Sequence, residues 1–401
     1  MKTYPYSHQW IDNDDVDQVV EVLKSGWLTQ GPAIKRFEDK LCEYTGAKYA
    51  VCVSHGTAAL HMACLAAGIR AKDEVITSPL TFVASANCVL YCQGRPVFAD
   101  IERDNGNIDP TAIQRINKKT KAIIPVHYAG YPYDLMEINR LAKKNNLLVI
   151  EDACHALGAE YKVNGQWIKI GSCQDSDMAI FSFHPVKSIT TGEGGAILTN
   201  HRDFYEKLLI LRSHGITRDQ EKFKVKNSKE NGDWYYEMQE LGFNYRITDI
   251  QCALGVSQMK KIDQFIKRRR EIARTYQEAF QGNEFFDLPP EAEQSFWKSS
   301  CHLYPIRLKD RYKKKKKMIF HRLKELGLGV QVHYIPVYWQ PLYQQLGYQK
   351  GLCPKAEDFY EREISIPLYP AMRDEDVNFI IKILFKTFGE MFLRPVVEIS
   401  T

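Results

Sequence analysis

Between about residues 49 and 199, short apolar runs alternate with longer stretches of mixed character. Runs of four or five apolar residues bounded by turn formers predict buried strands, and the segments between them predict helices. The expected strands are Tyr49–Val53, Glu74–Thr77, Pro96–Ala99, Ala122–Val126, Leu147–Glu151, Met178–Ser182 and Ala196–Thr199. Helices are expected at Thr57–Ala67, Thr81–Tyr91 and Asp134–Asn145. Ile123-Ile124-Pro125-Val126 and Leu147-Leu148-Val149-Ile150 are continuously apolar, as strands are when helices cover both faces of a sheet. Strand and helix in alternation predict an α/β domain.

The pattern changes after Thr248. To about Phe280 it predicts one long helix, or two in tandem, with Arg268-Arg269-Arg270 on a wet face. His302–Leu308, Val330–Tyr334 and Ile364–Leu368 then predict strands separated by helices, a smaller α+β unit. A chain of 401 residues suits such a division. The expected domains are 1–250 and 251–401. The polar stretch Lys222–Asp233 predicts a long surface loop, and the basic run Arg311 to Lys317 the solvated start of a surface helix.

Composition narrows the function classes. Hydrophobic residues make up 44% and charged residues 26%, ordinary for a globular enzyme. A formal charge of +5 falls short of a nucleic-acid-binding footprint. No apolar run approaches the roughly 18 residues that span a bilayer, so neither nucleic acid nor membrane is an expected partner. Ten cysteines lie scattered without a CxxC pair, so no metal site or disulfide framework is expected. With an N-terminus unlike a signal peptide, that usage places the chain in a reducing cytosol.

Four segments carry chemistry. Phe181-Ser182-Phe183-His184-Pro185-Val186-Lys187 ends a strand with a lysine in an irregular turn, ahead of Thr190-Thr191-Gly192-Glu193-Gly194-Gly195. The lysine precedes the glycines, so this is not a Walker loop; by itself it also reads as an exposed loop lysine. Leu147–Glu151 leads into Asp152, Ala153, Cys154 and His155. Ligands of open α/β sheets sit beyond the carboxyl ends of the strands, which puts Asp152 and Lys187 in one crevice. An acid facing a lysine is a plain ion pair or, alternatively, what pyridoxal phosphate requires: a carboxylate for the pyridine nitrogen and an amine for the aldehyde. Ser54-His55-Gly56-Thr57 joins a strand to a helix whose free amides suit a phosphate, though Ser-x-Gly-Thr is also a common helix cap. Ser78-Pro79-Leu80-Thr81-Phe82 places an aromatic residue at another such turn, as a stacking face or as core filler.

In this order, the four segments resemble the DegT-type sugar-nucleotide aminotransferases over almost the whole chain. Gly26-Trp27-Leu28-Thr29-Gln30-Gly31-Pro32 and Leu241-Gly242-Phe243-Asn244-Tyr245-Arg246 match as well. The resemblance implies a fold-type-I pyridoxal-phosphate transferase, with a large, mainly parallel seven-stranded sheet and a smaller α+β C-terminal domain. It implies pyridoxal 5'-phosphate as cofactor, held covalently by Lys187, with Asp152 on the pyridine nitrogen and Phe82 stacked on the ring. Gly56, Thr57 and Ser182 match the phosphate site, and Asn244 matches a residue that reaches the phosphate from a neighbouring subunit, so a homodimer with shared sites is implied. His155 lies near the ring in the same pattern, with a structural role equally open. Tyr6, Gly26, Trp27, Leu28, Thr29, His333 and Tyr334 correspond to sugar-nucleotide contacts. His184 is expected to pack within its motif, and His55 stands where relatives carry a small, uncharged residue.

Trp234–Gln239, His302–Ile306, Gln331–Tyr334 with Pro336 and Tyr338, and Ala356–Tyr360 narrow the resemblance to members acting in pseudaminic acid synthesis. The implied reaction moves the amino group of L-glutamate onto a UDP-linked 4-keto-6-deoxy-N-acetyl-hexose. Alternatives are a D-configured keto-sugar substrate, a sugar dehydratase, which in this family carries histidine in place of the lysine, and a non-catalytic regulatory member. The intact set of Asp152, Ser182 and Lys187 disfavours the last two.

Overall fold

The structure, a computed structural model, describes residues 3–225 and 232–392. Residues 226–231 of the expected Lys222–Asp233 loop lie outside the described residues. Seven strands form the main sheet: β1 (Tyr49–Val53), β2 (Glu74–Thr77), β3 (Arg95–Phe98), β4 (Thr120–Ile124), β5 (Leu148–Asp152), β6 (Met178–Ser182) and β7 (Gly195–Thr199). Their order is β1-β7-β6-β5-β4-β2-β3. β7 runs antiparallel to both of its neighbours, and the pairings among β2 to β6 are parallel. Separate apolar clusters cover the two faces: Phe37, Leu41, Ile123, Val149, Phe181 and Leu198 in one, Val51, Met62, Ala122, Ile150, Ile180 and Ile197 in the other. This two-sided burial is why the strands read as unbroken apolar runs.

The C-terminal part has its own core, including Tyr276, Phe280, Tyr304, Ile306, Ile364 and Phe388 around a small antiparallel sheet. The tandem-helix expectation for 248–280 resolves into Asp249–Met259 and Ile262–Phe280. The second helix places Ile262, Phe265 and Ile266 in the main core and Ile272, Tyr276 and Phe280 in the smaller one. The N-terminal strand Tyr4–Pro5 pairs with Leu328–Gly329, which draws Tyr6 and Ser7 across the face between the two units.

Two expectations fail and a third holds in part. Arg268-Arg269-Arg270 is not on a wet face: Arg269 is 0% exposed. It follows Phe265 by four residues and precedes Ile272 by three, so it falls on the apolar stripe of its helix. There its guanidinium donates to the carbonyls of Leu368 (3.0 Å), Cys301 and His302, while Arg268 and Arg270 donate to those of Met372 and Ser299. Burial pulls the Arg269 pKa down to about 10. The run Arg311 to Lys317 is only partly solvated, because Lys313 pairs with Asp358 at 2.9 Å and Lys316 donates to the Tyr360 carbonyl. Val330–Tyr334 is not a strand; it keeps a single bridge, Gln331 with Ser365. Beyond it the His333 N–H goes to the Glu363 carboxylate (2.7 Å) and the His333 carbonyl to the Tyr128 hydroxyl (2.5 Å), so neither group is left for a ladder.

Candidate active site

Parallel pairing of β5 with β6 sets Asp152 opposite Ile180, two residues before Ser182. β7 begins on the same edge, with Gly195 opposite both Val53 and Ser182. Asp152, Ser182 and the Ser54–Thr57 turn therefore share one rim of the sheet. The turn closes tightly on that rim. A Cβ on Gly195 would lie 2.6 Å from the His55 carbonyl carbon, and one on Gly56 would lie 3.0 Å from the Ser182 Cβ. At the start of helix Gly56–Ala66, His55 Nδ1 accepts the Ala58 N–H at 2.9 Å. The Ala59 N–H goes to the His55 carbonyl, which leaves Gly56 and Thr57 as the free amide donors of this terminus. His55 thus serves as the cap, and Gly56 and Thr57 are the groups presented to a ligand.

Lys187 sits in a loop held by the Lys187 N–H to the His184 carbonyl (2.9 Å) and by the Thr190 hydroxyl to the Phe183 carbonyl (3.1 Å). Ser7 donates to the Val186 carbonyl at 2.9 Å and brings the N-terminal segment, with Tyr6, against this loop. Burial pulls the Lys187 ammonium below the usual lysine value, against the opposing fields of Cys154 and Asp152. The plain ion pair does not form. Asp152, 5% exposed, accepts the Ser85 hydroxyl at 2.6 Å and the Cys154 N–H at 3.2 Å, and Ser85 is held in turn by Thr81 at 2.7 Å. Phe82 is not core filler: it is 59% exposed, with its ring 6.4 Å from that of Tyr334.

The opposite wall is aromatic and imidazole-rich. The Tyr334 hydroxyl lies 3.1 Å from His155 Nε2, the His155 and His302 rings are 4.2 Å apart, and Tyr6 stands 5.2 Å from His333. Burial and the charge of Lys187 push all three histidines toward the neutral form, His333 to about 3. His155 Nδ1 is buried without a partner.

The structure thus brings together Lys187, Asp152, Ser182, Gly56, Thr57, Phe82, His155, Tyr6, His333 and Tyr334. It does not tie Gly26, Trp27, Leu28 and Thr29 to the Lys187 loop by any hydrogen bond; they are exposed, with Thr29 bridged to Thr248. Asn244 is likewise exposed, on a segment whose neighbour Tyr245 accepts the Ser54 N–H at 2.8 Å. His184 is exposed rather than packed. Sequence reasoning missed Ser85, which follows Thr81 by one helical turn, and His302, Glu363 and Ser365, for which no local signal exists.

These groups fit pyridoxal phosphate: two free helix amides and a hydroxyl for the phosphate, a carboxylate set for a ring nitrogen, an exposed aromatic face, and a lysine of lowered pKa. Three similar proteins share the overall architecture or sequence. The UDP-4-amino-4,6-dideoxy-N-acetyl-beta-L-altrosamine transaminase of Campylobacter jejuni is 41% identical over 384 residues, covering 95% of this chain and 96% of that protein. The structure of Helicobacter pylori PseC, an aminotransferase involved in pseudaminic acid biosynthesis, has a TM-score of 0.88 and 38% identity, covering 97% of this chain and 100% of that one. The PLP form of Spr1654, a sugar aminotransferase homologue from Streptococcus pneumoniae, has a TM-score of 0.87 and 31% identity, covering 97% and 99%. The family model for DegT/DnrJ/EryC1/StrS aminotransferases matches residues 9–385, and the chain belongs to that family.

Proposed function

We propose that the chain transfers the amino group of L-glutamate to the keto carbon of a UDP-linked 4-keto-6-deoxy-N-acetyl-hexose. The product is UDP-4-amino-4,6-dideoxy-N-acetyl-β-L-altrosamine, and the reaction belongs to pseudaminic acid synthesis. The observation that carries the chemistry is Lys187, unpaired and of lowered pKa beside a fixed carboxylate. The named relatives support the choice of sugar.

Pyridoxal 5'-phosphate, when bound, supplies an aldehyde for the donor's amine and a ring that withdraws electrons from the reacting carbon. Lys187 would hold the cofactor and would carry a proton to or from the reacting carbon. Burial, which lowers its pKa, favours the neutral amine that this transfer needs. Asp152, fixed by Ser85, keeps the ring nitrogen protonated. Gly56, Thr57 and Ser182 would bind the phosphate, and Phe82 and His155 would hold the ring. Tyr6, His333 and Tyr334 line the sugar-nucleotide side. Gly26 to Thr29 complete it as sugar-nucleotide contacts. We place the division between the domains at 250/251, with the helix Ile262–Phe280 shared, and the enzyme in the reducing cytosol, where its ten free cysteines persist.

We also propose a homodimer in which Asn244 reaches the partner's phosphate. Trp27 (58% exposed), Trp234 (79%) and Leu241 (81%) are large apolar side chains open to solvent, as residues are that await burial in an interface. If so, Asn244→Ala and Lys187→Ala subunits, each poorly active, regain activity when mixed under exchange, since one site of each mixed dimer carries neither lesion. Verified heterodimers without recovery put Asn244 in its own chain's site. The reaction is tested by incubating enzyme and glutamate with the L- and D-configured keto-sugars and locating the new C–N bond by NMR. Amination of neither sugar overturns the assignment.

A further inference from the structure

Behind His333 lies a chain of hydrogen bonds whose polarity is set by the ionised form of Glu363. Glu363 is 0% exposed. One of its oxygens, Oε2, accepts the His333 backbone N–H at 2.7 Å. The other, Oε1, is met by the Ser365 hydroxyl. An ionised carboxylate only accepts, so the single hydroxyl proton of Ser365 points to Glu363. Ser365 Oγ also lies 2.8 Å from His333 Nδ1. Having given its proton to the carboxylate, it can only accept there, and Nδ1 must carry the hydrogen. The ring is neutral, as burial and Lys187 push its pKa down to about 3. Nε2 therefore holds a lone pair. Among the described residues nothing meets it.

We infer that Glu363 and Ser365 are positioning residues that lock His333 as its Nδ1–H tautomer, so that Nε2 accepts a hydrogen bond from a hydroxyl or amide N–H on the substrate's sugar. This rests on the reading that His333 lines the sugar-nucleotide site. It states a specificity: a sugar presenting only acceptors at that point is refused, because two lone pairs would face each other. Lys316 supports the lock. Its charge favours the ionised form of Glu363 against a burial that pushes the carboxyl up to about 7. Above that pH the carboxylate form sets the polarity of the chain.

Glu363→Gln reverses the lock without changing shape. The amide carbonyl must take the His333 N–H, so the NH2 group faces Ser365 and donates to it. Ser365 then donates to Nδ1, and the ring proton moves to Nε2. The test uses substrate-free holoenzyme at pH 8 with 15N-labelled histidine, the His333 signals being identified by their loss in His333→Asn. The native enzyme gives a protonated Nδ1 and Glu363→Gln a protonated Nε2. With sugar, Glu363→Gln raises KM for the keto-sugar at least about tenfold, the scale of one lost hydrogen bond with a partner left unsatisfied. The glutamate half-reaction, followed by cofactor absorbance without sugar, changes less than about twofold on the same scale, which a general loss of structure would not allow. Should Glu363→Gln fold poorly, Ser365→Ala gives the same decision: it removes the lock, mixes the tautomers and raises KM by a smaller factor. A native Nε2–H signal, or an unchanged tautomer in both variants, overturns the lock. The expected tautomers with an unchanged KM overturn the contact with sugar. If the native enzyme aminates no keto-sugar, the proposed function falls while the NMR result still decides the lock.

Discussion

The two walls of the site are built in different ways. On the sheet side, each chemical group stands on a strand end or within a few residues of one: Asp152 ends β5, Ser182 ends β6 and Gly56 follows β1 by three residues. On the other wall, His333 is placed by side chains that bind its own backbone, with Glu363 on its N–H and Tyr128 on its carbonyl. The first wall inherits its geometry from the sheet. The second depends on buried polar groups meeting across 30 and 205 residues of sequence. Chemistry that must not move sits on the rigid sheet edge, where positions are most precise. Recognition sits on the side network, which single substitutions can redirect.

Loss of Lys187 tests the sheet wall most severely. Lys187→Ala should lose the visible absorbance of lysine-bound cofactor and at least about 10³-fold in turnover, since proton transfer by a positioned group contributes roughly 10²–10⁴-fold and the anchor goes with it. The fold should be untouched, because the side chain makes no ion pair, and far-ultraviolet circular dichroism checks that. Turnover within tenfold of native removes Lys187 from the centre of the mechanism.

The opposite wall should reveal itself through pH. His155, His302 and His333 are buried and neutral, their pKa values pushed below the unfolded value of about 6.5. Just below that pH the unfolded chain binds three protons that the native site refuses, so stability is complete above about 6.5 and falls on acidification. Glu363 acts in the opposite sense, because its raised pKa lets the native state bind one proton there. The balance of three histidines against one glutamate predicts a loss of roughly 2 kcal/mol in unfolding free energy between pH 6.5 and 5.5. Urea titrations at the two pH values measure it, and His302→Asn should remove about half of the slope. An equal slope in the variant means that His302 is not among the groups refusing protons.

Legibility in the sequence followed the same division. The main-sheet strands were readable to within two residues, because a strand buried on both faces leaves an apolar run that nothing else explains. That Asp152, Ser182 and the Ser54–Thr57 turn share one rim of the sheet was readable, because each lies within a few residues of a strand end. Ser85 was not, since its role comes from reaching a carboxylate 67 residues away. Glu363 and Ser365 read as an ordinary strand, and Arg269 as part of a charged run. In each case the partner was a distant backbone or side-chain group, and periodicity carries no record of that. The helices Asn13–Lys24 and Pro32–Thr45 are a different omission. Their signals were present, in an Asp12–Asp15 capping box and a Gly31-Pro32 start, but they lie outside the alternating region that drew the reading.

The smallest expected effect concerns His55, the cap of the Gly56–Ala66 helix on the sheet wall. Its ring accepts the Ala58 N–H at the start of Gly56–Ala66, and the Gly56 and Thr57 amides remain for a phosphate. A capping role and a ligand role make opposite demands. As a cap, His55→Asn should behave like native enzyme, because asparagine caps at least as well. His55→Ala should cost about 1 kcal/mol, a lowering of the thermal midpoint by roughly 1 °C in a chain of 401 residues. Both variants should retain cofactor, since neither removes the free amides. A binding role reverses the pattern, with cofactor lost from both variants and with stability of the cofactor-free protein unchanged in His55→Ala. Equilibrium dialysis of the cofactor beside melting of the cofactor-free protein separates the two. The capping outcome would mean that the rigid wall accepts different residues at position 55, provided one hydrogen bond is kept.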